Sequence, residues 1–447
     1  MTKLGSKHWV EITDLTDKGD GVGTLLGRPL FVEGALPGDE VEVKLTQIKP
    51  NYLHGLIGQI GTPAAERVDD FCAHQACGGC QVRTLSYQGQ LAHKQQLVQR
   101  EMQRFGLNCE VKPVLGMAEP FAWRNKAQFA VRQIDGGAEI GFYRKHSHQL
   151  VACDDCAVQD PLHIELLARL RQWLQQHDVR AYDEHNHSGD LRHVVTRKGF
   201  ATGEVMLVLV TRTEVLPAQA ELLAQLADLN LTTIVHNVHG ERGNRVMGLD
   251  NRVLTGNGVI RDTLDGLDFI ISPLSFYQVN PSQTEVLYKQ ALQLAELTGN
   301  ETVYDLYCGI GTISLFLARH ASKVIGIELI PEAIADAEEN AKANGLSNTE
   351  FHVGRAEVLV PELYQQGVSA DVVVVDPPRK GCDQALLQTL TAMAPKTLVY
   401  VSCNPKTLAR DLAWLTANGF SLEQLQPVDM FPHTLHVEAV AQLRWQG

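Results

Sequence analysis

The chain has 447 residues, 44% of them hydrophobic and 20% charged, with a formal net charge of −13. That length holds about two to four domains with full cores, and the composition is that of an ordinary soluble protein. No apolar run reaches transmembrane length, and Met1-Thr-Lys-Leu-Gly-Ser-Lys7 lacks the apolar segment of a signal peptide, so a cytoplasmic protein with reduced thiols is expected. The acidic balance argues against indiscriminate nucleic-acid binding. Residues 81–150, however, carry ten Lys/Arg against five Asp/Glu, and phosphates respond to nearby charge rather than to the global sum.

Residues 9–60 read as short strands punctuated by glycine. They run Trp9-Val-Glu-Ile12, the Gly-rich hairpin from Lys18 to Thr24, Pro29-Leu-Phe-Val32, and Glu40-Val-Glu-Val-Lys44. Strands this short and evenly spaced predict a small β-barrel. Their order and the turn from Ala35 to Val41 resemble a TRAM domain, an OB-like barrel found on RNA-modifying enzymes. Lys44, Lys49 and Tyr52 are its candidate RNA contacts, although each reads equally well as part of a solvated face.

Of the nine cysteines, Cys72, Cys77 and Cys80 crowd into one stretch, and Gly78-Gly79 allow close folding of the backbone. In a reducing compartment that pattern points to a metal centre rather than disulfides. Zinc is one reading, since two cysteines three apart are half a zinc site. A fourth ligand must come from further on, with Cys153 and Cys156 as candidates, whereas Cys109 reads as a structural thiol.

A helix is predicted from about Ser86 to Phe105, with Leu91, Leu97, Val98 and Met102 as its apolar stripe. The stretch from Phe121 to Arg132 alternates basic and apolar residues. Strand periodicity places Arg124, Lys126, Gln128 and Arg132 on one face, a candidate phosphate-contacting surface. Further alternation of strand and helix signals up to Asp268 predicts an α+β middle domain. From Ile270 onward a regular strand–helix rhythm predicts a doubly wound parallel sheet. The expected division is a barrel at 1–62, a central domain with the cysteine cluster at 63–269 (its 86–120 helical region packing on the last domain), and a Rossmann-like domain at 270–447.

Chemistry gathers at the predicted strand ends. Asp305-Leu-Tyr-Cys-Gly-Ile-Gly311 turns a strand into a helix through two glycines, letting a ligand approach the backbone. Glu328 ends the next strand, where a carboxylate takes ribose hydroxyls, and no third glycine completes a dinucleotide fingerprint. Asp305 before the glycines suits a ligand with a cationic amino-acid end, such as S-adenosylmethionine. Asp376-Pro-Pro is a rigid exit from a strand, similar to the loop of methyltransferases that act on exocyclic amino groups, with Arg379 in place of their aromatic residue. Ser402-Cys403-Asn404-Pro405 sets a thiol just past a buried strand, since Pro405 cannot continue a ladder. A lone cysteine there reads most simply as a buried thiol. Glu438, amid apolar neighbours on the last strand, needs a partner or a task.

Together these motifs, with Phe276-Tyr-Gln-Val-Asn280 and His436-Val-Glu438, resemble the uracil-5-methyltransferase family that modifies uridine in transfer and ribosomal RNA. The likeness spans nearly the whole chain and is nearest to the ribosomal RNA branch, whose members carry a barrel and an iron–sulfur cluster. It implies S-adenosylmethionine contacts from Gln278, Tyr307, Glu328 and Asp376. It also implies ligation of a 4Fe-4S cluster by Cys72, Cys77, Cys80 and Cys156, Cys403 as nucleophile, and Glu438 as general base. An RNA substrate, ribosomal above all, no membrane and no obligate protein partner follow as expectations. The alternatives are tRNA uridine methylation, an exocyclic amino methyltransferase, which has no use for a nucleophilic cysteine, and a non-catalytic RNA-binding factor.

Overall fold

The computed structural model describes residues 3–134, 137–145 and 147–447. Residues 1 and 2 of the expected barrel domain, and 135, 136 and 146 of the central one, lie outside them. Five strands between Lys7 and Thr62 close into a barrel around Val10, Ile12, Leu30, Val32, Val41, Val43 and Leu53. Closure requires close backbone approach at Gly55, where a Cβ would stand 2.1 Å from a Val43 methyl. Tyr52, Phe31 and His54 form one aromatic group on the barrel, with Tyr52 partly exposed.

The central region is built on a mixed seven-stranded sheet. One face packs the Pro161–Gln176 helix against Phe129, Val131, Leu207 and Leu209. Its other face shares a core with the last domain through Val195, Met206 and Val208. The Tyr87–Arg104 helix packs instead on the Pro405–Ala417 helix and the Phe420–Val428 strand. Its N-cap is Ser86, whose hydroxyl accepts from Gly89 N. Val98 and Met102 of the predicted stripe are buried, whereas Leu91 and Leu97 are only half-buried, and Gln90, His93 and Lys94 complete the buried side. Lys94 is 1% exposed because Asp429 meets it at 2.5 Å.

The last domain has a seven-stranded sheet with spatial order Thr349–Val353, Lys323–Glu328, Thr302–Leu306, Val372–Val375, Thr397–Ser402, Glu438–Trp445, Phe420–Val428. The first five run parallel. Continuous Val/Ile/Leu runs such as Val372–Val375 are buried because helices cover both faces. The order reverses beside Thr302–Leu306, the switch point where such sheets open a crevice. Glu438–Trp445 runs antiparallel to both its neighbours. Two contacts from the central region set the geometry of the crevice. Asn125 pairs with the backbone of Gln278 and Val279, its Nδ2 donating to Gln278 O at 3.0 Å and its N–H to Val279 O at 2.9 Å. The buried Arg197 guanidinium donates to Pro273 O and Ser275 O at 3.1 and 2.6 Å. No helix among the described residues is long and apolar enough to cross a membrane.

Candidate active site and a cysteine-lined cavity

A cavity of about 1020 Å³ opens at the carboxyl edge of the parallel sheet, and Gln278, Tyr307, Glu328, Asp376, Cys403 and Glu438 all line it. The topology explains why residues so far apart in the chain meet. Tyr307, Glu328, Asp376 and Cys403 each end or follow a parallel strand, so all four reach the same edge. Glu438 begins its strand, but that strand is antiparallel. The pairing of Ser402 with Ala439 puts Cys403 and Glu438 one step further on, side by side.

The loop after Thr302–Leu306 is bent by Tyr307 at φ 68°, Gly309 at 56° and Gly311 at 82°, a left-handed run that an ordinary side chain such as Tyr307 adopts only under constraint. Tyr307 N and Cys308 N both donate to Ile327 O, at 2.9 and 3.1 Å. Three backbone N–H groups hold the Glu328 carboxylate: Gly309 at 3.2 Å, Leu329 at 2.7 Å and Ile330 at 3.0 Å. It is therefore a fixed acceptor at the cavity wall, with exposed Leu329 and Ile330 beside it. Asp305 departs from the reading that gave it a ligand's cationic end. It is 0% exposed and takes a 2.5 Å hydrogen bond from Ser314, behind the glycine turn and off the cavity wall. Burial raises its pKa to about 7.

Asn404 and Thr407 clamp the Asp376 loop to the cysteine turn. Asn404 Nδ2 donates to Arg379 O at 2.8 Å and Thr407 Oγ1 donates at 3.2 Å, while Asn404 also caps the Pro405–Ala417 helix. Burial raises the pKa of Asp376, and burial and then the charge of Asp376 raise that of Glu438. The two carboxyls thus compete to remain ionised. Burial, Glu438 and Asp376 push the Cys403 thiol up to about 11, against a smaller opposing effect of Arg379. Arg379, set within 3.5 Å of His436 Nδ1, is the cation facing this group. Sequence reasoning treated Arg379 only as a missing aromatic; its part appears once the loop folds back on Cys403.

Lys126, Gln128 and Arg132 keep to the more open side of their strand as alternation predicts, but the cations of this stretch are drawn to other partners or partly buried. Arg124 lies against the Trp123 ring near Cys77, Cys80 and Cys156. Arg132 is held by Tyr143 and Glu184. Lys126, with burial as the main cause and Arg197 and Arg124 adding, falls to about 7. Alternation predicted side-chain direction but not what the opposite surface would be.

A second cavity, of about 210 Å³, is walled by Cys72, Cys77, Cys80, Cys153 and Cys156 together with His74, Arg83, Trp123 and Thr434. All nine cysteines are free thiols. Among the described residues, no three His, Cys, Asp or Glu side chains are placed to hold one metal ion. A zinc ion requires its donors at about 2.0–2.3 Å from one point; here the thiols stand around a void. That spacing does not fit a single ion. Cys156 is drawn below the ordinary thiol range by a hydrogen bond from Cys153, assisted by Val158 and Gln159 N–H.

Fold and site define a Rossmann-type methyltransferase with an appended RNA-binding barrel. The model of the tRNA (uracil-5-)-methyltransferase family matches residues 86–445, and that of the TRAM domain residues 2–57. The chain belongs to that family of RNA uracil-5-methyltransferases. An uncharacterized RNA methyltransferase of Listeria innocua is 48% identical, with 98% of each chain covered. One of Bacillus cereus is 47% identical over 97% of this chain and 96% of the other. The crystal structure of the Pyrococcus abyssi tRNA (uracil-54, C5)-methyltransferase with S-adenosyl-L-homocysteine superposes with a TM-score of 0.79. It is 30% identical and covers 98% of this chain and 100% of that one.

The raised Glu438 pKa has a stability consequence. A carboxyl that keeps its proton on folding, where the unfolded chain releases it, favours the folded state below its ordinary value of 4.5 and loses that contribution as pH rises above it. Glu438→Gln, which resembles the protonated form, is therefore expected to raise Tm by about 3 °C or more at pH 8 and to leave it unchanged at pH 4. Thermal melts at the two pH values check this, and an equal shift at both would remove the electrostatic explanation.

Proposed function

We propose that the chain methylates uridine C5 in RNA, using S-adenosylmethionine and a transient bond between Cys403 and C6 of uracil. The observation that carries this reading is the register that sets Cys403 beside Glu438 on the wall of one cavity with Gln278, Tyr307, Glu328 and Asp376. Glu328, with its oxygens already oriented by three N–H groups, suits the ribose hydroxyls of the cofactor, and Tyr307 and Gln278 suit its remaining contacts. The S-adenosyl-L-homocysteine of the Pyrococcus abyssi structure supports the same cofactor here. When bound, the cofactor supplies a methyl group on a cationic sulfur.

The chain's residues supply the rest. Uracil C5 is a weak nucleophile, so the Cys403 thiolate first adds to C6 and leaves carbanion character at C5. Arg379 is the cation that favours that thiolate against two carboxyls. Asp376 and Gln278 hold the uracil edge. After C5 takes the methyl group, Glu438 removes the C5 proton, the C6–S bond breaks and Cys403 leaves as thiolate. The base reaches the crevice by flipping from its stack. On a denaturing gel with RNA and S-adenosylmethionine, Glu438→Gln should give a slow protein–RNA band, since proton removal is the step it lacks. Cys403→Ala should give none. Free RNA with both variants would move the base to another group.

Large-subunit ribosomal RNA is the target we assign. Transfer RNA is the second reading, favoured by the tRNA (uracil-54) enzyme that aligns along this chain, barrel included. Mapping 5-methyluridine in both RNA classes, with and without the gene, decides between them: loss from ribosomal RNA supports the assignment, and loss from tRNA overturns it.

We further propose that Cys72, Cys77, Cys80 and Cys156 hold an iron–sulfur cluster. The void they surround and their thiolate donor set support a cluster over zinc. Anaerobically purified protein should be brown and contain iron and sulfide. Colourless protein with one zinc per chain would refute the assignment.

A further inference from the structure

The segment 429–438 runs from one cavity to the other. Thr434 forms part of the wall of the cysteine-lined cavity, while Phe431, His436 and Glu438 line the catalytic one. The bend between them is His433, at φ 67°, a left-handed conformation that a side-chain-bearing residue keeps only when its surroundings enforce it. The enforcing contacts come from the region that carries the cysteines. Val82 N donates to His433 O at 3.2 Å, and Gln90 brackets the residue, its Oε1 accepting from His433 N at 2.8 Å. Phe71, next to Cys72, and Phe121 place their rings 4.8 and 4.9 Å from the imidazole. Upstream, Lys94 donates to Asp429 Oδ1 at 2.5 Å and to Phe431 O at 3.1 Å. Downstream, the Thr434 hydroxyl donates to Phe431 O at 2.8 Å and accepts from His436 N at 3.2 Å. That last bond lies two residues from Glu438.

We propose that Thr434 is a positioning residue for Glu438, and that segment 429–438 makes the placement of the catalytic carboxylate depend on the packing of the cysteine-bearing region. The proposal rests on the reading of Glu438 as the base that removes the C5 proton. Cys403 follows a different strand and has its own clamp, Asn404 and Thr407. Slackening the segment therefore disturbs the step after methyl transfer more than the addition before it, which the segment reaches only through the 3.5 Å contact of His436 with Arg379. Uniform damage to the fold would slow both.

The test uses the full-length protein with RNA and S-adenosylmethionine, measuring adduct formation and release in single turnovers. Thr434→Val keeps the shape and removes both hydroxyl bonds. It should form the adduct within about threefold of the wild-type rate and release methylated RNA about tenfold to a hundredfold more slowly, the scale of a catalytic group displaced by up to about 1 Å. Phe71→Ala, on the cysteine side, should shift release in the same direction. If Thr434→Val does not fold, Lys94→Met combined with Asp429→Asn, which leaves no buried charge unpaired, should give the same split. If Glu438→Gln accumulates adduct and the segment variants that fold release product at the wild-type rate, the coupling is wrong. Equal slowing of formation and release means a structural role only and overturns it as well. If Glu438→Gln itself accumulates no adduct, the reading of Glu438 fails, and the positioning proposal fails with it.

Discussion

The site depends on one strand running against its neighbours. In a wholly parallel sheet, a catalytic carboxylate at the start of a strand would lie at the edge remote from the crevice. Because Glu438–Trp445 is inserted antiparallel between Thr397–Ser402 and Phe420–Val428, its first residue arrives where the other strands end. Period-two alternation then decides which way the side chain points, and a slip of one residue would turn Glu438 to the opposite face. The buried pairs Leu398–Leu443 and Val401–Val440 hold the register, since any slip would move apolar side chains off the core.

The strand-end residues were legible in the sequence because their signals are local. A run such as Val372–Val375 followed by Asp376-Pro-Pro, or Leu398 to Val401 followed by Cys403 and Pro405, marks both a buried strand and the place where it stops. The barrel was legible for the same reason. What was not legible lies in side-chain direction against distant partners. Lys94 occupies a core position because Asp429, 335 residues away, neutralises it, and no window of sequence contains both. The 124–132 stretch misled for the converse reason. Its basic residues do alternate, but Arg132 is taken up by Tyr143 and Glu184 and Arg124 by Trp123 and the cysteine region. A free cation and a spoken-for cation look alike in one dimension.

Linkage between regions carries the same lesson into the cavity. The loop bearing Gln278 belongs by sequence to the methyltransferase portion, yet Asn125 and Arg197 of the central region hold its backbone. Arg197 is tolerated without a carboxylate because two carbonyls accept from its planar fork. The cavity wall is therefore a joint product of two sheets, which explains why the shared core extends through Val195, Met206 and Val208.

The electrostatics give the site a direction. Asp376 and Glu438 crowd the cavity wall with Asp305 behind it, all three with raised pKa values, and Arg379 is the cation that faces Cys403. Burial and mutual repulsion among these groups favour their protonated forms, the Cys403 thiol included. A cationic ligand entering beside these groups favours every ionised form at once, carboxylates and thiolate together. The proposed cofactor carries that charge on the atom next to the transferred methyl group.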